Sequence, residues 1–308
     1  MKIAAVSITY NDDYKFKEWC EWYKGYKEDL YLHIIVDNGS SKTYLNKVKA
    51  FFKESTIIER GSNGGCTISY NDGIRYALKD KNVTHIALVG NDIKLSPNAL
   101  IICANALEKD KSLGMVEPVL LYKDSMLVND FGCGVDELFF MHSDKDGVEY
   151  DDLVEDFRYC ECVTGGMNVA TRDFYEKVGL QDEKLFMYSD EVDMGLRAKA
   201  VGFKMAAIRG AIAWHQHINP PSNPSRRHPF SKYLIARNKT YLANKYSGRK
   251  AAKHECRYFI KDALRRICID LVKFRWGKSG KIKEMRWQII GAFNGLIGNM
   301  NHNKYSHL

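Results

Sequence analysis

Residues 3–10 read IAAVSITY and run into Asn11 and Asp12. An apolar, partly β-branched run of that length, ending in small and polar residues, predicts a buried strand. Similar runs recur at 32–36 (LHIIV), 56–59 (TIIE) and 85–89 (HIALV), with helical patterns between them such as Tyr44–Phe52 and Ile68–Leu78. Strands alternating with helices predict an α/β fold: a doubly wound, mainly parallel sheet covered on both faces. Three strand ends carry polar tips, Thr9-Tyr-Asn11, Asp37-Asn-Gly-Ser40 and Gly90-Asn-Asp92. Ligands of open α/β sheets bind beyond the carboxyl ends of the strands, so these tips are expected to meet in one crevice.

The totals set bounds on what surrounds that sheet. A chain of 308 residues with 45% apolar content and only 6 prolines can bury a sizeable core, as one large domain or one domain with an appendage. The 8 cysteines are scattered with no C-x-x-C pair, which excludes a zinc ribbon and a thioredoxin-like site; free thiols in a reducing cytosol are the expected state. The first ten residues turn polar too soon for a signal peptide, and no run of about 18 apolar residues predicts a membrane span. Charge is placed unevenly. Residues 226–308 hold 20 Lys and Arg against 4 Asp and Glu, leaving 26 against 34 in residues 1–225. An acidic body (1–225) and a basic, mainly helical region (226–308) are therefore expected, the second suited to an anionic partner.

Within the body, residues 120–158 are acidic and aromatic with weak periodicity, and read as irregular strands and loops. Residues 219–229 (NPPSNPSRRHP) read as a boundary loop. Beyond it helices are expected at about 230–246, 250–276 and 281–298. In the second, Ile260, Leu264, Ile267, Leu271 and Phe274 form an apolar stripe flanked by Lys261, Arg265, Arg266 and Lys273.

The acidic stretch at 185–197, LFMYSDEVDMGLR, bears most on function, with Trp214-His215 following after a short strand. Asp190, Glu191 and Asp193 crowd a helix start. They suit general-base work or cation handling, which a nearby His would complete. They equally suit a well-capped helix, with Ser189 as N-cap, acids in the first turn and an Asp193–Arg197 pair. Asp37 reads either as a hydrogen-bond acceptor for a nucleobase or ribose or as an Asx-turn residue. Asp92 reads either as a ligand holding Mg²⁺ or Mn²⁺ against a diphosphate or as a cap near Ser96-Pro97. His215 and His217 alternate, so one at most faces the site. No G-x-G-x-x-G follows the first strand, and Gly277-Lys-Ser279 lacks the first glycine of a P-loop, since position 272 is Val.

Eight loose motifs occur in one order: ITYN ending at Asn11, VDNGS around Asp37, Asn63-Gly-Gly with NDGI from Asn71, Gly-Asn91-Asp92-Ile, TGGMNV around Gly165 and Gly166, FMYSDEVD with Arg197, Trp214-His215, and Ala-Arg237-Asn238. Together, over roughly residues 1–240, they resemble the inverting GT-A glycosyltransferases of family 2, in flavour the bacterial rhamnosyl- and galactofuranosyltransferases. The resemblance implies a GT-A fold and transfer of a sugar from a UDP- or dTDP-linked donor to a hydroxyl of a glycan or lipid-linked acceptor. It places Thr9, Asn11, Asp37, Asn63, Asn71, Asn91, Asp92 and Arg237 on the donor side, and Gly165, Gly166 and Trp214 on the acceptor side. It makes Asp92 and His215 ligands of Mn²⁺ or Mg²⁺, and Glu191 the base with Asp190 as rival. Two departures stand out: Gly90 where the family usually has Asp or Asn, and the reversed order of the Asp190-Glu191 pair.

The expectation is thus a cytoplasmic, metal-dependent glycosyltransferase in cell-surface polysaccharide synthesis, its basic helices docking on the anionic inner face of the plasma membrane. A nucleic-acid-binding protein using the basic region leaves the acidic cluster and strand tips unexplained, so nucleic acid is not the expected partner. The remaining alternative is a relative that binds but does not catalyse.

Overall fold

The computed structural model describes residues 1–216, 229–272 and 281–301. The proline-rich segment up to residue 228, His217 and Gly277-Lys-Ser279 lie outside the described residues. The chain divides into two compact units: Met1–Gly134 with Met141–Asp182 and Met194–Ser225, and Val135–Phe140 with Glu183–Asp193 and Arg226–Leu308.

In chain order the elements are β1 (Ile3–Thr9), α1 (Phe16–Tyr26), β2 (Leu32–Asp37), α2 (Lys42–Phe51), β3 (Thr56–Glu59), α3 (Gly65–Lys79), β4 (His85–Val89), β5 (Ile93–Leu95), α4 (Ala99–Lys109) and β6 (Leu113–Tyr122). There follow β7 (Val128–Asp130), the short strands β8 (Gly134–Val135) and β9 (Met141–His142), β10 (Phe157–Cys160), β11 (Met167–Thr171), α5 (Arg172–Val178), α6 (Asp190–Ala200), β12 (Lys204–His215), α7 (Pro229–Val272) and α8 (Lys281–Ile297).

The first unit is built on a ten-stranded sheet ordered β10-β12-β6-β11-β4-β1-β2-β3, with β5 on β12 and β7 on β6. The β4-β1-β2-β3 half is parallel, β11 runs antiparallel between β4 and β6, and β6 and β12 are again parallel. Strand alternation explains the double winding. Ile3 and Ala5 pack with Leu100, Cys103 and Leu107 of α4 on one face. Ala4 and Val6 pack with Ile74 of α3 and Phe174 of α5 on the other. One expectation is corrected. The stretch read as irregular from residue 120 begins inside β6, whose ten residues are all buried; a strand covered on both faces shows no alternation to read.

The second unit rests on α7 and α8. A break at Gly248, with φ of 81° that an L side chain rarely adopts, divides α7 in two and matches the two helices expected from 230 and from 250. Helix α8 approaches α7 closely because Gly291 and Gly295 lie one turn apart. A Cβ on either would stand 2.2 Å from the Tyr233 or Arg237 carbonyl oxygen. The apolar stripe is offset from the expected one: Ala252, Cys256, Phe259 and Ala263 are buried, whereas Leu264 is 49% exposed. Among the described residues, no helix is long and apolar enough to cross a membrane.

Candidate functional site

In the first unit the tips of β1, β2 and β4 are joined by polar side chains. The Asn91 amide donates to Asp12 Oδ2 at 2.7 Å and to Thr9 Oγ1 at 3.2 Å, tying the β4 tip to the β1 tip. Thr9 donates in turn to Asp12 and shares a 2.6 Å bond with the Tyr44 hydroxyl. Asn11, with φ of 51°, holds the β1 and β2 tips together: its amide N–H donates to Ser40 Oγ, and its side-chain oxygen accepts from Ser41 N. That left-handed conformation suits an asparagine, whose short polar side chain bonds locally.

The second tip is closed by an Asx-type turn, with Ser40 N donating to Asp37 Oδ2 at 3.1 Å. Asp37 Oδ1 is buried and has no hydrogen-bond partner among the described residues. A buried carboxylate oxygen left unmatched is costly unless a ligand supplies the donor. Next to it, the Asn38 amide donates to Asn63 Oδ1 and the Gly65 carbonyl, while Gly64 N donates to Asn38 Oδ1. Asn63 therefore shapes the turn into α3.

At the third tip, Asp92 Oδ2 lies 3.6 Å from His215 Nε2 and 3.9 Å from Lys15 Nζ, and Lys15 Nζ is 3.4 Å from Asp12 Oδ1. Burial works against the Lys15 charge, but Asp92 and Asp12 together outweigh it and hold its pKa above the ordinary lysine value. Asp92 and His215 set a carboxylate oxygen and an imidazole nitrogen 3.6 Å apart, a donor pair that would suit a divalent ion. Among the described residues, no three or more His, Cys, Asp or Glu side chains gather as a metal site. Gly90 N donates to the Gly166 carbonyl at 2.8 Å, and Gly166 itself lies beside His215.

Several expected site residues bond within the first unit. Asn71, expected on the donor side, is fully buried, and its amide exchanges two 2.9 Å bonds with the Gln181 backbone. Asn91 is nearly buried, and its amide joins strand tips. Trp214 donates Nε1–H to the Ser125 carbonyl and carries Lys94 over its ring, in the cluster around Val119 and Phe131. A Cβ on Gly166 would meet its nearest neighbours, in His215 and Ile93, at 3.8 Å, an ordinary contact. Sequence reading missed Asp12, Lys15, Asn38 and Tyr44. Asp12 and Lys15 stand three residues apart ahead of α1, and only the folded strand tips give that spacing a meaning.

In the second unit, Asp190 and Glu191 open α6. Asp190 is 5% exposed; burial, then the neighbouring Glu191 and Asp193, push its carboxyl well above the usual carboxylate range. Glu191 is half-buried. Asp193 accepts from Lys245 Nζ and the Tyr246 hydroxyl, each at 2.6 Å. Tyr188 and Ser189, both at positive φ, precede the helix, and Asn238 donates to the carbonyls of Leu185, Met187 and Tyr188. Arg237, expected on the donor side, is wholly buried, and its guanidinium donates to the Lys184, Leu185 and Met300 carbonyls and to Asn238 Oδ1, which holds the segment ahead of the acidic pair.

The sequence model of Glycosyl transferase family 2 matches residues 24–124. A low-salt glycan biosynthesis hexosyltransferase of Haloferax volcanii, Agl10, is 22% identical over 217 residues, which cover 68% of this chain and 66% of that protein. Among solved structures, the mannosyltransferase PcManGT from Pyrobaculum calidifontis, in complex with GDP-Man and Mn²⁺, superposes with a TM-score of 0.55 at 11% identity. That match covers 96% of this chain and 87% of the other. GalNAc-T7 with UDP, GalNAc and Mn²⁺ gives 0.60 at 11% identity, covering 79% of this chain, which spans about half (48%) of that one. At such identities the likeness is one of fold. Residues 24–124 thus carry the family 2 glycosyl transferase match, within a chain whose fold is GT-A-like.

Proposed function

We propose that the chain is an inverting glycosyltransferase that moves a sugar from a UDP- or dTDP-linked donor to a hydroxyl of a glycan or lipid-linked acceptor. The observation that carries this reading is the meeting of three strand tips, with the unmatched Asp37 Oδ1 at one and the Asp92–His215 pair at another. The first offers an acceptor to a base or ribose N–H or O–H; the second lies where a diphosphate's charge would need neutralising. The family 2 match and the GT-A-like fold support the same reading.

In this reading Asp37 orients the nucleoside. Asp92 and His215 would hold a divalent ion, which when bound would supply positive charge to the leaving diphosphate. Glu191 takes the acceptor hydroxyl's proton as the oxygen attacks the anomeric carbon from the face opposite the diphosphate. Half-buried Glu191 suits that role better than Asp190, whose burial favours the protonated form.

The basic helices support docking on an anionic leaflet that presents a lipid-linked acceptor. Exposed Leu264 and Ile269 on α7 lie among exposed Lys261, Arg265 and Arg266. Co-sedimentation with anionic but not neutral vesicles, lost at high salt, is the expected outcome; equal recovery with both removes this part. The catalytic reading is tested by a thermal-shift panel of nucleotide sugars with and without Mn²⁺. Stabilisation by a UDP- or dTDP-sugar is expected. No shift with any donor, together with binding of single-stranded nucleic acid, would overturn it.

A further inference from the structure

We propose that Lys15 is a built-in cation of the donor site, meeting the diphosphate of the nucleotide so that its binding does not rest on a divalent ion alone. The inference builds on the nucleotide-sugar reading and adds to it a residue and a property.

The position of Lys15 is unusual on several counts. It is the residue ahead of the first turn of α1, where side-chain acceptors cap helices and the helix dipole disfavours a cation. Its side chain is only 13% exposed, whereas lysines mostly keep their ammonium in water. What offsets both costs is a pair of carboxylates from different strand tips, Asp12 Oδ1 at 3.4 Å and Asp92 Oδ2 at 3.9 Å.

Asp12 is itself fixed, since its other oxygen accepts from Thr9, Tyr10 N and Asn91. The polar network joining the β1 and β4 tips thus serves to aim one carboxylate oxygen at Lys15. Both separations exceed the ~2.7–2.9 Å of a full charge-assisted hydrogen bond, so charge holds the ammonium without saturating its three donors. An ammonium held in this way can donate to phosphate oxygens that arrive beside Asp92.

The same geometry sets Lys15 against a metal. A divalent ion between Asp92 and His215 shares the Asp92 oxygen that faces Lys15, and two like charges around one oxygen compete. Removing the lysine charge should therefore weaken metal-free nucleotide binding and strengthen metal binding.

Calorimetric titration of UDP and dTDP into the full chain, in EDTA and in Mn²⁺, is the test, with Mn²⁺ binding to the nucleotide-free protein followed separately by electron paramagnetic resonance. Wild type is expected to bind nucleotide in EDTA. Lys15→Met should weaken that binding by ~tenfold or more, recover it in Mn²⁺ and bind Mn²⁺ more tightly, while Lys15→Arg keeps the EDTA-resistant binding. Comparable melting of all three proteins shows that the fold is retained; should Lys15→Met melt early, Lys15→Gln takes its place.

Nucleotide binding that needs Mn²⁺ equally in wild type and Lys15→Met, or unchanged EDTA binding in the variant, overturns the role of Lys15 and leaves the nucleotide-sugar reading standing. Failure of wild type to bind either nucleotide in EDTA or Mn²⁺ overturns that reading, and this inference with it.

Discussion

Gly90 lies directly against the Asp92 carboxylate: a Cβ at position 90 would stand 2.6 Å from Asp92 Oδ1. The glycine that departs from the family pattern in sequence is thus what leaves room for the Asp92 side chain facing His215 and Lys15. The obstructing atom is the far end of a side chain, so a larger residue at 90 would move the carboxylate rather than the backbone.

Gly90→Asp, which restores the more usual residue, is therefore expected to weaken nucleotide binding in Mn²⁺ by about tenfold, while Tm changes by less than ~3 °C. Titration calorimetry and melting read the two effects separately. Tighter binding in the variant would mean that a carboxylate at 90 adds a ligand without displacing Asp92.

The acidic pair predicts a division of labour. Glu191→Gln should lower kcat by ~100-fold or more with nucleotide affinity nearly unchanged, since only the proton acceptor is lost. Asp190→Asn should cost much less, because its buried carboxyl already favours the protonated form that an amide resembles. A larger kcat loss in Asp190→Asn than in Glu191→Gln would exchange their roles.

Glu117 and Asp130 give the first unit a pH signature. Glu117 is fully buried and accepts from Gly132 N and Thr164 N, the latter at the start of the Gly165-Gly166 turn. Burial, and then Asp130, raise its pKa; burial raises that of Asp130 from 3.8 to about 6. A carboxyl raised in the folded state holds a proton that the unfolded chain releases. Its stabilisation is therefore complete below the unfolded value and declines as pH rises towards the folded one. For Asp130 the window runs from 3.8 to about 6. Asp130→Asn should remove that decline, so its Tm relative to wild type rises between about pH 4 and pH 7 by ~3 °C or more. A parallel pair of pH–Tm curves would refute the assignment.

Two glycines should respond in opposite ways. At Gly295 a Cβ would press on the Arg237 carbonyl oxygen, a backbone atom, so Gly295→Ala should cost about 1–3 kcal/mol in chemical denaturation. Gly25 lies inside α1, and a Cβ there would meet nothing within 4 Å, so Gly25→Ala should gain roughly 0.5–1 kcal/mol.

The sheet was legible because its signals are local. Four apolar runs gave β1, β2, β3 and β4 almost to the residue, and the helices beyond residue 229 showed in their periodicity. Polar residues at three strand ends marked where the strand tips meet, since ligands of such sheets bind beyond the carboxyl ends of parallel strands. Strand β6, buried throughout although it carries Glu117 and Pro118, hid its C-terminal boundary, because burial on both faces erases the alternation that marks a strand.

What the sequence could not assign was which polar side chains are consumed by the fold. Asn71 meets the backbone of Gln181 across 110 positions, and Arg237 reaches carbonyls 52 and 63 positions away. In the sequence both look like ligands, because an amide or guanidinium carries no mark of the partner that will satisfy it. The same is true of Lys15, whose partner Asp92 stands on another strand tip. The sequence by itself determined the strands, the polar tips and the acidic helix start, because propensity and periodicity act between near neighbours. Only the tertiary structure decided which charges meet, because desolvation and long-range pairing exist only once the strands lie side by side.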